Sequence, residues 1–269
     1  MASIGTNVAA VNASFYLTIN NDNLTKSIRK LASGSRLADP VDDAAGVAVS
    51  ANLTARVKRL NAAVEGAQNV ISYAQTADGF LQTLQDQLTR MSELAQRATN
   101  GAFSDTDRAN YNIEFERLKT QILAISTNAT YNGTTIFTTG TISVAISADG
   151  TTDILLSTSL GNLTTLGLTG ATIGSTTSSQ QAITTLALAI QSIARRRAEV
   201  NADVSKFQFH IQNIRSESIN VATANSRIKD LDVATESTEL SKNNILLQAS
   251  TSMLAQANSA QQSILALLR

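Results

Sequence analysis

The sequence predicts a mainly α protein. Its N- and C-terminal segments form a long antiparallel, coiled-coil helix rod, and a small β-hairpin-containing region lies in the middle. Three observations predict this. Leu186, Ile193, Val200, Phe207, Ile214, Val221 and Ile228 recur at every seventh residue, and Ile183, Ile190, Val204 and Ile211 fill a companion row. Two apolar knobs per heptad demand a partner helix along the whole length, and the N-terminal half carries apolar stripes that can supply one. Between them the character changes. The only charged residues between Lys119 and Arg195 are Asp149 and Asp153, and seven of the 13 glycines lie from Gly133 to Gly174.

The first helix is predicted over about residues 4–33, from Val8, Val11, Phe15, Ile19, Leu24, Ile28 and Leu31 at approximate helical spacing. Ser33-Gly34-Ser35 interrupts it, and Asp39-Pro40-Val41-Asp42-Asp43 makes a turn with an acidic start to the next helix. That helix is expected over about 42–98, with Val57, Leu60, Val64, Ile71, Leu81, Leu84, Leu88, Met91 and Leu94 as its stripe. Asn100-Gly101 stops it. Ser104 then caps a third helix, with Asp107 three residues on and Tyr111, Phe115, Leu118, Ile122 and Ile125 spaced by threes and fours. In the middle, Ile142, Val144 and Ile146 alternate with small residues, Asp149-Gly150 marks a hairpin turn, and Ile154 and Leu156 begin the returning strand. The stretch from Leu160 to Thr177 is weakly patterned and rich in Gly, Ser and Thr. It reads as exposed loop, so that Gly161 to Gly174 should be replaceable by a short turn. The heptad helix starts near Ser179 and contains Arg195-Arg196-Arg197, read as a solvated face or ion-pair site. Asp230 to Leu240 reads as a break or restart. A last helix over about 237–268 carries Leu240, Leu247, Leu254 and Ile264 and ends on Leu267 and Leu268.

Catalytic chemistry finds nothing to stand on. There is no Cys and no Trp, and His210 is the only histidine, set between Phe209 and Ile211 on a helix. Asp42 and Asp43 are adjacent and face different ways, which suits a helix start better than a metal site. No phosphate-binding loop, dinucleotide fingerprint or nucleophile elbow is present. The reading is therefore no enzyme, no cofactor and no metal. Charge is balanced at 21 basic and 21 acidic residues, which gives no general pull toward nucleic acid or an anionic membrane. No segment approaches a membrane span. The N-terminus has no basic stretch followed by an apolar run, so the expectation is either cytoplasmic residence or export by a route that does not read a cleaved signal peptide.

The ends are the most informative feature. Phe15 and Tyr16 near one end, and Leu267 and Leu268 at the other, have no core of their own in a lone chain. Burial against other copies explains them. Identical copies joined by non-closing contacts make an open helical filament.

Particular stretches also resemble bacterial flagellins. The N-terminal part is similar in Leu31-Ala-Ser-Gly-Ser-Arg-Leu37, Asp42-Asp43-Ala-Ala-Gly46-Val-Ala48, Ala74-Gln75-Thr76-Ala77-Asp78-Gly79, Arg90-Met-Ser-Glu-Leu94 and Ala98-Thr99-Asn100-Gly101. Tyr131-Asn132-Gly133-Thr134 resembles the turn where the family's shared core gives way to its variable part. The C-terminal part is closer still, in Ser226-Arg227-Ile228, Asp230-Leu-Asp232-Val-Ala-Thr-Glu236, Ile245-Leu-Leu-Gln248-Ala249, Met253-Leu-Ala-Gln-Ala-Asn258 and Leu265-Ala-Leu-Leu-Arg269.

The resemblance implies a structural subunit that polymerises into the extracellular flagellar filament and is exported without a cleaved signal peptide. It implies terminal helices, residues 1–40 and 230–269, forming the inner filament core, with a helical rod from 41–130 and 178–229. It also implies a small, surface-exposed variable region over 131–177. The filament-core packing set is then Val8, Val11, Phe15, Ile19, Leu24, Ile28, Leu31, Leu247, Leu254, Ile264, Leu267 and Leu268. The rod core is Leu60, Val64, Ile71, Leu186, Ile193, Val200, Phe207, Ile214, Val221 and Ile228. Implied partners are further copies of the chain, a flagellar export chaperone at the C-terminal segment, the export apparatus, and filament cap and junction proteins. Arg90, Glu93, Leu94 and Glu114 match positions by which the mammalian Toll-like flagellin receptor senses some flagellins, although Thr89 and Ser92 replace the usual Gln and Arg. Two other readings share these features: a hook–filament junction protein, and a monomeric adhesin or host-receptor ligand.

Overall fold

The computed structural model describes residues 6–137, 141–145, 147, 149–150, 153–157 and 166–267. Among them are α1 (Val8–Ser33), α2 (Ala44–Ala98), α3 (Asp105–Asn128), β1 (Thr130–Tyr131), β2 (Thr134–Thr135), β3 (Thr141–Ala145), β4 (Asp153–Ser157), α4 (Thr176–Lys229) and α5 (Val233–Leu267). The fold is mainly α, as the heptad pattern predicts, with small β-hairpins in the middle of the chain. It divides into two compact units: Met1–Arg56 with Asn220–Arg269, and Val57–Ile219.

In the first unit α1 packs on α5. Besides Lys30, the residues of α1 that lose exposure are Ala10, Ala13, Leu17, Asn20, Leu24, Ser27 and Leu31, an unbroken alternation of three- and four-residue steps. On α5 they are Glu236, Leu240, Asn243, Leu247, Ser250, Leu254, Ala257 and Gln261, again a heptad seam. Hydrogen bonds fix the register. The Asn243 amide donates to Ser27 Oγ at 3.4 Å, and Asn20 donates to Ser250 Oγ at 2.7 Å. Asn7 donates to the Ala257 carbonyl at 3.0 Å. Residue numbers rise on one helix as they fall on the other, so the pair is antiparallel.

Both helix breaks have local causes. Gly34 ends α1 in the left-handed region at φ 64°, where a side chain would be strained. Asp232 restarts the chain as α5, its Oδ1 accepting the Ala234 and Thr235 N–H groups at 3.0 and 3.2 Å. That cap starts the helix at Val233, a turn before the stripe of leucines suggests. The two breaks are joined by an antiparallel bridge between Ser35 and Asp230, with the Arg36 N–H donating to the Lys229 carbonyl at 2.8 Å.

The second unit is a helical core of α2, α3 and α4. Leu60, Ala67, Ala74, Leu81, Leu88 and Ala95 follow one heptad row of α2 and Val70, Ala77, Leu84, Met91 and Ala98 the other, all buried. The alanines let the helix backbones approach closely, and Phe115 and Phe207 fill the larger gaps. From Ile183 to Ile211 the companion row of α4 is apolar except at Arg197. That guanidinium grips Asp78 through Nε at 2.9 Å and Nη2 at 3.2 Å, and donates to Gln85 at 3.1 Å. The last residue of the arginine triplet thus has a structural partner on α2, while Arg195 is solvated beside Glu199. Arg108, nearly buried, donates to the Ala98 and Asn100 carbonyls at 3.1 Å and caps the end of α2 with a cation. Ser104 and Asp107 form the reciprocal capping box that starts α3.

Asn132-Gly133, read from sequence as a turn, closes a two-residue hairpin between β1 and β2, with φ 48° and 78°. The Asp149-Gly150 hairpin forms with Ile142 opposite Leu156 and Val144 opposite Ile154. Ile146 lies outside the described residues.

The expectation of an exposed 131–177 needs one correction. Ile136, Phe137, Leu166, Leu168 and Ile173 are buried in the core of the second unit. Asn112 Oδ1 accepts the Ile173 N–H at 3.0 Å, Lys119 donates to the Ala171 carbonyl at 3.2 Å, and Ser179 donates to the Ile173 carbonyl at 3.3 Å. The stretch has too few apolar residues for a periodicity, but those few are held inward by polar groups of α3 and α4. Ser175 and Ser178 then cap α4 reciprocally, which starts it at Thr176.

Candidate functional site

The terminal helices carry apolar residues on two faces. Leu24, Leu31, Leu247 and Leu254 lie on the α1–α5 seam and are half-buried. Val8, Val11, Phe15, Ile19 and Ile28 do not. They project from α1 away from the seam, with Phe15 62 % exposed and Tyr16 packed edge-on against it at 5.8 Å. On α5, Ile245, Leu246 and Met253 are likewise exposed, Ile245 at 66 %. Ile264 and Leu267 belong to α5, but their side chains, like Leu268 as a whole, lie outside the described residues. No Asp, Glu, Lys, Arg or His occurs before Asp22 or between Lys242 and Arg269. A water-facing helix normally carries charge on its outer face, and a helix without charge on any face belongs in an interior.

The sequence stripe on α1 merged these two faces. Its missing members, Leu17, Asn20 and Ser27, sit on the seam, as do Asn243 and Ser250 on α5. A search for apolar residues passes over Asn and Ser. The step of seven through Ala10, Leu17, Leu24 and Leu31 was the signal that separates the seam from the outer face.

Of the expected rod-core residues, Leu60, Leu186, Ile193, Val200, Phe207 and Ile214 are buried. Val64 and Ile71 pack half-buried against the core, and Val221 and Ile228 are also half-buried. Around Arg90 the chain builds an ion-pair network. Arg90 donates to Glu114 Oε1 at 2.9 Å and to Glu93 Oε2 at 3.1 Å, and those carboxylates, Glu114 foremost, raise its already high pKa further. Leu94 is fully buried, so it belongs to the core and only Arg90, Glu93 and Glu114 of that group present atoms to solvent. Among the described residues no three His, Cys, Asp or Glu converge as metal ligands, and no helix is long and apolar enough to cross a membrane.

Both ends of the chain match the terminal helical regions of one known family. Residues 4–141 match the bacterial flagellin N-terminal helical region, and residues 183–268 match the bacterial flagellin C-terminal helical region. The chain belongs to the flagellin family. It is 34 % identical to the flagellar filament 30.7 kDa core protein of Treponema maltophilum, over 98 % of this chain and 99 % of that one. It is 31 % identical to the flagellin of Listeria monocytogenes, over 98 % and 99 %. The crystal structure of Bacillus cereus flagellin is similar with a TM-score of 0.51 at 25 % identity, covering 60 % of this chain and 94 % of that one. In this flagellin the two matched terminal regions are separated by residues 142–182 alone.

Proposed function

We propose that this flagellin is the structural subunit of an extracellular bacterial flagellar filament and has no catalytic role. The observation that carries the reading is the pair α1 and α5, uncharged over their outer lengths and apolar outside their own seam. Such surfaces are stable only when other copies cover them, and copies joined head to tail propagate without closing. On this reading residues 1–40 and 230–269 form the inner filament core, 41–130 and 178–229 the rod, and the hairpin part of 131–177 the outer surface. The filament cap and junction proteins meet the same terminal helices. Before export, α5 offers Leu240, Ile245, Leu247 and Leu254 as an amphipathic helix for the groove of an export chaperone that delivers the chain to the export apparatus. Arg90, Glu93 and Glu114 are the surface groups by which an innate receptor would read the monomer. Electron microscopy of purified full-length chain, seeded with filament fragments in polymerising salt, tests the proposal. Filaments are expected, and a chain that stays monomeric with seeds present refutes it.

A further inference from the structure

The loop between α1 and α2 holds three carboxylates that face two ways. Asp43 caps α2: its Oδ1 accepts the Gly46 N–H at 2.7 Å. Its carboxylate folds so closely over Gly46 that a Cβ there would lie 2.3 Å from Oδ2, so a side chain at position 46 would push the capping carboxylate aside. Asp39 and Asp42 turn the other way, toward α1. Arg29 Nη1 meets Asp39 Oδ2 at 3.1 Å, while Lys26 and Lys30 reach the two oxygens of Asp42 at 3.3 and 3.9 Å. These three are all the basic residues of α1. With Ala38 they line the cleft around the two aspartates. Lys26 and Arg29 lie off the seam, on the face that further toward the N-terminus carries Val11, Phe15 and Ile19. The face of α1 that carries Val11, Phe15 and Ile19 thus changes character along the helix: apolar up to Ile19, and basic and ion-paired to the chain's own loop at Lys26 and Arg29.

We propose that residues 37–43 are an electrostatic strap that fastens the basic end of α1 to the start of α2 and fixes the direction in which the apolar outer face is presented to another copy. This rests on the assembly reading above. The ion pairs are partly exposed, so salt screens them. The backbone bridge from Ser35 to Asp230 is not screened and holds only the α1 end of the loop.

The chain has no cysteine, so a nitroxide pair can be placed cleanly. Full-length chain carrying Asn23→Cys and Val41→Cys, both at exposed positions, is labelled and co-assembled with a large excess of unlabelled chain. Pulsed electron paramagnetic resonance then reads the distance between the labels. The strap predicts one narrow distance, broadened by high salt and by D39N/D42N. The narrow distance should return in the charge-swapped chain K26D/K30D/D42K, where Arg29 and Asp39 are kept. A D39N/D42N distribution as narrow as the parent's, or one that the swap leaves broad, overturns the strap. If no filaments form, the assembly reading fails, and the same comparison on soluble chain still decides the strap.

Discussion

Replacing Ile173 with alanine should destabilise the second unit markedly, although the residue lies in a stretch that reads as loop. Its side chain is fully buried, its N–H is held by Asn112 at 3.0 Å and its carbonyl by Ser179 at 3.3 Å. The polar contacts survive the substitution, so the loss is that of the side chain and the cavity it leaves, about 2–5 kcal/mol for an Ile→Ala change in a core. For a unit of this size each kcal/mol lowers the melting temperature by about 2–4 °C, so a midpoint cost of ~3 kcal/mol predicts a drop of roughly 6–12 °C. The assay is thermal unfolding of the full chain by far-ultraviolet circular dichroism. Ser143→Ala, exposed on β3, serves as the control and should change stability by no more than ~0.5 kcal/mol. A shift for Ile173→Ala below about 2 °C would mean that the segment 166–175 is not docked. By the same logic a turn in place of Gly161 to Gly174 should unfold this end of the unit, whereas shortening the β3–β4 hairpin should leave the helical core intact.

Deleting residues 1–30 or 245–269 should abolish filaments while the second unit keeps its cooperative melt, because its core is built within Val57–Ile219; loss of that melt would contradict the division into units. Asp78→Ala strands the half-buried Arg197 and should cost about 1–3 kcal/mol by chemical denaturation, whereas Asp78→Leu with Arg197→Met should recover most of it. Equal costs for the single and double variants would refute a pairing role. Hydrogen bonds from Ser104 hold the Asp107 carboxyl below its ordinary range, and those from Thr235 and Ala234 do the same for Asp232. Both folded-state values lie below the unfolded one of about 4, so these caps stabilise fully above that pH and lose their contribution as pH falls through the depressed values. Carbon-13 titration of the two carboxyls should give midpoints below an ordinary aspartate's, and midpoints at or above it would contradict the caps.

The parts that were legible in the sequence are those where apolar spacing and capping residues agree. The α4 seam, the Ser104 box and the Asp149-Gly150 hairpin are all of this kind. What was not legible depended on polar residues in apolar roles. Asn20, Ser27 and Asn243 sit on a helix seam, and Arg197 occupies a knob position because Asp78 lies opposite. Ile173 gives no pattern at all, since a single inward residue has no period; the polar groups that hold its segment are Asn112 and Lys119, distant in sequence, and Ser179, at the start of the next helix. The two faces of α1 were visible as one stripe and separable only by the step of seven.

The claim that other copies cover the outer faces of α1 and α5 is tested most directly by thiol footprinting on the cysteine-free chain. Single cysteines at Phe15 and Met253, both exposed in the lone chain, are treated with a water-soluble maleimide before and after assembly, alongside a reference cysteine at Ser143 on β3. The account predicts that Phe15→Cys and Met253→Cys react freely in soluble chain and become protected in filaments, while Ser143→Cys reacts equally in both. Filaments in which the two terminal-helix cysteines remain as reactive as the reference would contradict it.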